Sequence, residues 1–442
     1  MPAKPVPAKP APAKTAGARA LHRSFPAYTD HTPMVPVHIV TPEMSGCFHR
    51  FFDTSPISPC GRFLAVLQMP DEGRLNGPGD EAAVVVVDLE QGGNRVVAHT
   101  RGWEPQLGAN INWGVDGCLV FNDVDPSDWS PRLVRLDPVT GKRESIPGGV
   151  YHVSPDGRFA ACAATERMRR TQIGYGVVIP DELVPVHVGA PADDGLFITD
   201  LVTGTRRLVL SLAAAAAVIP ELAGTDLSRW HIHGFHSKWS PDGKRLIFTV
   251  RRWRVGAARA KDWDNIQFGV LRYDVLTCRA DGSEAMTAVP AHAWEAGGHH
   301  INWLPDSSAL SMNLAGFGGE GLRFARVGID GSGMRPLLLD VRGSGHPTVH
   351  ECGRILTDSY TGEHPFARAD GTTPLRWVSL RDGSEMDVVR MTTAVAPGLH
   401  GALRVDPHPA WDGSRRRVVF NAVVGGTRRV MVADMGDLVD AG

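Results

Sequence analysis

The chain has almost no net charge: 46 Lys and Arg stand against 48 Asp and Glu in 442 residues. That balance removes the basic surface that coats a polyanion, so a nucleic-acid partner is not expected. Long apolar runs are also missing. The longest, from Leu208 to Ile219, is alanine-rich and well short of the roughly 20 residues a bilayer-spanning helix needs. It reads as a helical insertion, and no membrane partner is expected. The six cysteines, Cys47, Cys60, Cys118, Cys162, Cys278 and Cys352, contain no C-x-x-C pair. This spacing excludes a zinc ribbon or redox dithiol and favours buried free thiols in a reducing compartment. The N-terminus, Met1 to Ala20, is Pro-, Ala- and Lys-rich without an apolar core. It is no signal peptide as it stands; residues 1–30 are expected to be disordered and the protein cytoplasmic, or secreted if a leader has been removed. No G-x-S-x-G elbow, P-loop or Rossmann fingerprint occurs, which argues against serine-hydrolase and nucleotide chemistry.

What the chain does have is repetition. His236-Ser-Lys-Trp239-Ser-Pro-Asp-Gly243, running into Arg245-Leu-Ile-Phe-Thr-Val250, recurs six more times, beginning at Thr54, Asn110, Val150, His300, His346 and His408. Each unit continues with a second pair of apolar runs around an Asp-Gly or Thr-Gly turn, as in Leu133-Val-Arg-Leu-Asp137-Pro-Val-Thr-Gly141 and Leu196-Phe-Ile-Thr-Asp200-Leu-Val-Thr-Gly204. Such turns join hairpins because glycine accepts positive φ. Two hairpins repeated seven times predict an all-β fold, a seven-bladed β-propeller of four-stranded antiparallel blades, forming one domain over residues 31–442. The ring must close, and Val35-Pro-Val-His-Ile-Val40 is the candidate closing strand. Motif intervals of 56, 40, 86, 64, 46 and 62 residues place two insertions in the longest gap, near 167–194 and 211–233. Specificity is expected there.

The fourth motif position, Ile57, Trp113, Val153, Trp239, Trp303, Val349 and Trp411, is always apolar and predicts packing between blades. The first position is polar in six of seven units and reads Thr54, Asn110, Val150, His236, His300, His346, His408. If equivalent positions converge on the axis, four imidazoles converge with them. Histidine is a common neutral metal ligand and an acid or base near neutral pH. His300, His346 and His408, with Asp406 two residues from His408, are therefore candidate ligands of a divalent ion, zinc, manganese or calcium. His299, His350, His231 and His233 are possible further donors. Tyr175, between Gly174 and Gly176 in the longest insertion, is a second candidate, because flanking glycines let the backbone approach a neighbour closely and leave the phenol prominent. Arg169 and Arg170 precede it and Asn110 and Asn122 lie in a neighbouring blade; Asn110 is a candidate catalytic residue with Tyr175 and His236, and Arg169, Arg170 and Asn122 are candidate contacts for an acidic substrate.

Several longer strings, Cys47-Phe-His-Arg-Phe-Phe-Asp-Thr-Ser-Pro-Ile-Ser-Pro59, Thr100-Arg-Gly-Trp-Glu-Pro-Gln-Leu-Gly-Ala109, Gly174-Tyr-Gly-Val177, Leu356-Thr-Asp-Ser-Tyr360 and Asp406-Pro-His-Pro409, resemble the seven-bladed propeller polysaccharide lyases. The likeness spans about residues 45–435 and is nearer to ulvan lyases than to oligogalacturonate lyases. It implies cleavage of uronate-containing glycans by β-elimination, leaving a 4,5-unsaturated uronate end. In the oligogalacturonate branch it implies a metal on His300, His346, Asp406 and His408, with His236 as base. The ulvan branch implies acid–base work by Tyr175 and a second-blade histidine. Asn110 stands at that second-blade position, and an amide hydrogen-bonds a carboxylate but takes up no proton. The departure points away from ulvan itself, towards an intracellular enzyme of acidic oligosaccharides, monomeric or a small homo-oligomer. It leaves open whether the histidine cluster does chemistry or braces the blades. A non-catalytic propeller binding a glycan or protein, or a metal-dependent glycan hydrolase on the same cluster, are the alternatives.

Overall fold

Each blade is built from two hairpins, and the turn of the first hairpin shows why the motif reads as it does. The fourth residue after the apolar position is left-handed in every blade: Gly61, Gly117, Gly157, Gly243, Ser307, Gly353 and Arg415 have φ between 58° and 80°. Glycine takes that conformation without a Cβ penalty, which explains its presence in five of the seven. The serine ahead of Pro-Asp-Gly finishes the turn: Ser154 Oγ accepts from Phe159 N at 2.9 Å and Ser240 Oγ accepts from Arg245 N at 3.0 Å.

The computed structural model describes residues 20–257 and 270–441. Among them, seven four-stranded antiparallel sheets form a seven-bladed β-propeller, as the repeat predicts. The ring closes where expected. Val37–Ile39 pairs antiparallel with Thr427–Asp434, in register Val37↔Ala433, His38↔Val432 and Ile39↔Met431, so the last blade takes one strand from each end of the chain. Its other strands are Arg417–Val424 and Ala410–Trp411.

The fourth-position residues pack as their apolarity requires. Ile57, Val153, Trp239, Trp303 and Trp411 are buried, while Trp113 and Val349 are half-buried. The indoles also tie blades together. Trp113 donates to Pro56 O at 2.8 Å, Trp303 to Lys238 O at 3.1 Å and Trp411 to Thr348 Oγ1 at 3.1 Å, each acceptor lying in the preceding blade.

Two expectations need correction. Of the N-terminal segment expected to be disordered, residues 1–19 lie outside the described residues, but the chain is already packed by Phe25 and Tyr28. Both are buried, and Ala27 bridges to His38 beside the closing strand. Two aromatics gain enough from burial to hold that stretch. All six cysteines are free, yet Cys60 is exposed in its turn. The insertions of the third blade are ordered by local contacts. The first carries the helix Thr165–Met168, anchored by an Arg167–Asp194 ion pair. The second carries a helix, Leu212–Val218, capped by Ser211 Oγ at 3.1 Å from Ala214 N, but the first part of the run expected to be helical, Leu208–Ser211, ends the strand Arg206–Ser211.

Candidate functional site

The first motif position does converge. A strap that follows the strand Cys47–Phe48 crosses the axis and carries Phe51 into the middle of the histidines. The Phe51 ring lies 5.7, 5.9, 5.3 and 4.7 Å from the rings of His236, His300, His346 and His408, edge-on to each. His300 stacks on His346 at 3.8 Å, and His346 meets His408 at 4.3 Å. Beneath, Lys238 Nζ sits 2.9 Å from Asp53 Oδ2, both side chains 1% exposed, with Tyr151 and Arg50 alongside. Burial works to raise the Asp53 carboxyl, but Lys238 and Arg50 outweigh it and hold Asp53 below the ordinary range. A buried pair of this kind must be well satisfied to be tolerated; Lys238 also donates to Ile301 O at 2.8 Å.

Burial keeps three of the imidazoles neutral. It lowers His236, His300 and His408 well below their ordinary value, and neighbouring cations or histidines lower them further. A neutral imidazole presents the lone pair that a metal or a proton needs. His346, Asp406 and His408 bring donor atoms within 4.8 Å of one another. His346 is oriented for this role: its Nδ1 lies 2.9 Å from Asp358 Oδ1, so that nitrogen donates and Nε2 faces away with its lone pair. A carboxylate behind a ligating imidazole fixes ring and tautomer. Asp358 is fully buried and also accepts from the backbone N–H of His346 at 2.6 Å and of His408 at 3.0 Å, so one carboxylate aligns two strands. His300 is steered by Gly345 O, 2.6 Å from its Nδ1. Both ring nitrogens of His408, Nε2 of His236 and Oδ2 of Asp406 are buried without a well-formed hydrogen bond. A tight group of two imidazoles and a carboxylate, His346, His408 and Asp406, with both nitrogens of His408 unpartnered, fits a divalent cation. His300 stands beside this group and is not part of the tight cluster.

Tyr175 approaches from the insertion. Its ring is 5.4 Å from Phe235 and 6.1 Å from His236. The phenol is not prominent, contrary to the expectation from its flanking glycines; it is buried, and Gly174 and Gly176 both take positive φ. Burial raises its pKa above the ordinary value, and hydrogen-bonded Arg404 opposes the rise. Arg404 also lies 2.9 Å from Asp406 through Nη2, so a cation joins the imidazoles at the mouth. Tyr360 completes the rim, 5.8 to 6.3 Å from the rings of His299, His300 and His346. Asn110 takes φ 50°, accepts from Arg50 Nε at 3.3 Å and donates to Glu104 Oε1 at 2.8 Å.

Other expected residues go elsewhere. Asn122 spends its amide on Val150, accepting from its N at 2.7 Å and donating to its O at 3.0 Å. It sews the second blade to the third. Arg169 pairs with Asp181 at 3.2 Å and Arg170 donates to Asp181 O at 2.9 Å, so both are engaged inside their own insertion. His350 is taken up by Arg415 O and Cys352 N, and His231 and His233 stack on Trp253. Only His299 among the extra donors reaches the cluster, its Nδ1 2.9 Å from that of His300. Reading single positions of the repeat misses Phe51, Glu104, Asp358, Tyr360 and Arg404. The first four lie inside the longer strings around Cys47–Pro59, Thr100–Ala109 and Leu356–Tyr360, which are the available signal for them.

No protein-family profile matches this chain, and no curated protein matches it. Solved structures do. An oligogalacturonate lyase in complex with manganese superposes with a TM-score of 0.61 at 16% identity, over 95% of this chain and 98% of that one. An oligogalacturonate lyase from Vibrio parahaemolyticus superposes with a TM-score of 0.59 at 14% identity, over 94% and 97%. At such identities the likeness is one of fold.

Proposed function

We propose that the protein is a lyase that cleaves acidic, uronate-containing oligosaccharides by β-elimination, with a divalent cation held by His346, Asp406 and His408 and flanked by His300. The observation that carries this reading is the company His236 keeps. A neutral imidazole with an unpaired Nε2 stands across Phe51 from His346, Asp406 and His408, with the Tyr175 ring 6.1 Å away. The likeness of fold to oligogalacturonate lyases, one of them a manganese complex, supports it. Such a cation would offset the charge of the uronate carboxylate, without which the C5 proton is too weakly acidic to remove.

The chain's own groups take the remaining roles. Arg404 shares the carboxylate's charge from the rim. His236 Nε2 takes the C5 proton; the electron pair of that C–H bond becomes the C4–C5 double bond, and the C4–O4 bond breaks. Tyr175 gives its proton to the departing O4 and regains one from water, while His236 returns its proton to solvent. Asn110 orients the neighbouring groups and moves no proton. No helix among the described residues is long and apolar enough to cross a membrane.

The test is a panel of uronate oligosaccharides, oligogalacturonates first and ulvan-derived fragments second, with manganese supplied. A new ultraviolet absorbance from the conjugated 4,5-unsaturated product is expected with at least one of them. Silence across the panel overturns the lyase reading. Binding without product would then favour a glycan-binding propeller, and product lacking the double bond a hydrolase.

A further inference from the structure

The turn that begins at Glu104 grips the Tyr175 loop from both sides. Glu104 and Gly108 exchange backbone hydrogen bonds, N to O at 3.0 Å in each direction, so the turn is rigid. From one end, the buried Glu104 carboxyl accepts the Gly176 N–H through Oε2 and the Asn110 amide through Oε1. From two residues on, Gln106 Nε2 donates to Ala402 O at 2.7 Å. Ala402 is the residue against which Gly174 packs: a Cβ built on Gly174 would lie 2.7 Å from its Cβ. A Cβ on Gly176 would collide with Thr165 O. Tyr175 is therefore held between two glycines, each fitted to a wall, and the turn leading into the second blade bonds both the Gly176 N–H and the Ala402 wall. Nothing about Tyr175 itself requires a carboxyl here, and a buried carboxyl that serves only packing is costly.

We propose that Glu104 is a positioning residue for Tyr175, holding the phenol at its distance from His236 and Arg404 through the Gly176 N–H, with Gln106 fixing the opposite wall. This rests on the lyase reading for its catalytic consequence and on the geometry alone for its structural one. Burial pushes the Glu104 carboxyl up to about 8, so what positions the loop is the hydrogen bond its Oε2 accepts from the Gly176 N–H, whichever protonation state it holds. Losing it frees the loop by an amount that matters, because a displacement of about 1 Å in a reacting group can lower turnover on the order of 100-fold.

The experiment has one readout without substrate and one with it. Hydrogen exchange of the Gly176 amide should accelerate in Glu104→Ala and stay slow in Glu104→Gln, which keeps an oxygen towards it. Equal protection in wild type and Glu104→Ala overturns the proposal, whatever the enzyme does. With the oligogalacturonate trimer, Glu104→Ala should lower kcat by about 100-fold with KM within about threefold, and Glu104→Gln should restore kcat to within about threefold of wild type. In a Tyr175→Phe background the Glu104→Ala change should add nothing further; independent, multiplying losses overturn the positioning role. If Glu104→Ala does not fold, Glu104→Asp, one methylene too short to reach Gly176, stands in for it with the same expectations. Failure of the lyase reading looks different: the wild type itself would give no unsaturated product across the panel, while the exchange result would stand.

Discussion

The first three blades and the last four bring different chemistry to the first motif position, Thr54, Asn110 and Val150 against four histidines. Asn110 in the second blade has φ 50°, and His300 and His408 in the fifth and seventh have φ 59° and 49°. Non-glycine residues seldom adopt this conformation, and they do so where surrounding structure forces it. The same left-handed backbone thus carries an amide in one early blade and an imidazole in two late ones. In the early blades that position is absorbed: Arg50 bonds Thr54 and Asn110, and Glu104 takes the rest of Asn110. In the later blades it is left open, with the nitrogens of His408 and Nε2 of His236 unmatched. The early half is braced at this position through Asn110. The late half brings His346, Asp406 and His408 together in one group, an arrangement whose cost is worth bearing when a ligand completes it.

That contrast can be broken from either side. The largest effect is expected from giving the late half the early half's residue. His408→Asn keeps a side chain tolerant of left-handed φ, so the fold should survive by circular dichroism, while turnover of an oligogalacturonate should fall by at least about 100-fold. Wild-type turnover in a folded His408→Asn protein would mean that the imidazole is ornamental. A smaller effect, on stability, is expected from Asn110→Ala, which removes two hydrogen bonds and leaves a Cβ residue at φ 50°. Chemical denaturation should show a loss of about 2–4 kcal/mol. A loss comparable with a surface substitution, under about 0.5 kcal/mol, would show that the early half does not brace the ring through this residue.

Periodicity made the ring legible. Seven Pro-Asp-Gly-like turns, a conserved apolar step and a spare strand at Val35–Val40 follow directly from hairpin chemistry, and all reappear in the fold. Convergence of His236, His300, His346 and His408 was legible for the same reason: equivalent positions of a closed ring must meet. The second layer was not. Asp358 and Glu104 act through backbone N–H groups of residues far along the chain, and such contacts leave no spacing signature. Asn122, Arg169 and Arg170 looked like substrate contacts because polar residues near an insertion have no sequence mark saying that their bonds are already taken by Val150 or Asp181. Tyr175 was placed near the site, yet its burial depended on how Gly174 and Gly176 fit Ala402 and Thr165, which only packing decides.

The central claim is that His346, Asp406 and His408 hold a cation. Calorimetric titration of metal-stripped protein with manganese tests it most directly, with His408→Asn measured in parallel. A single ion per chain in the wild type, and affinity lower by at least about tenfold in the variant, is the expected result. No binding by the wild type, or equal binding by both proteins, would contradict it.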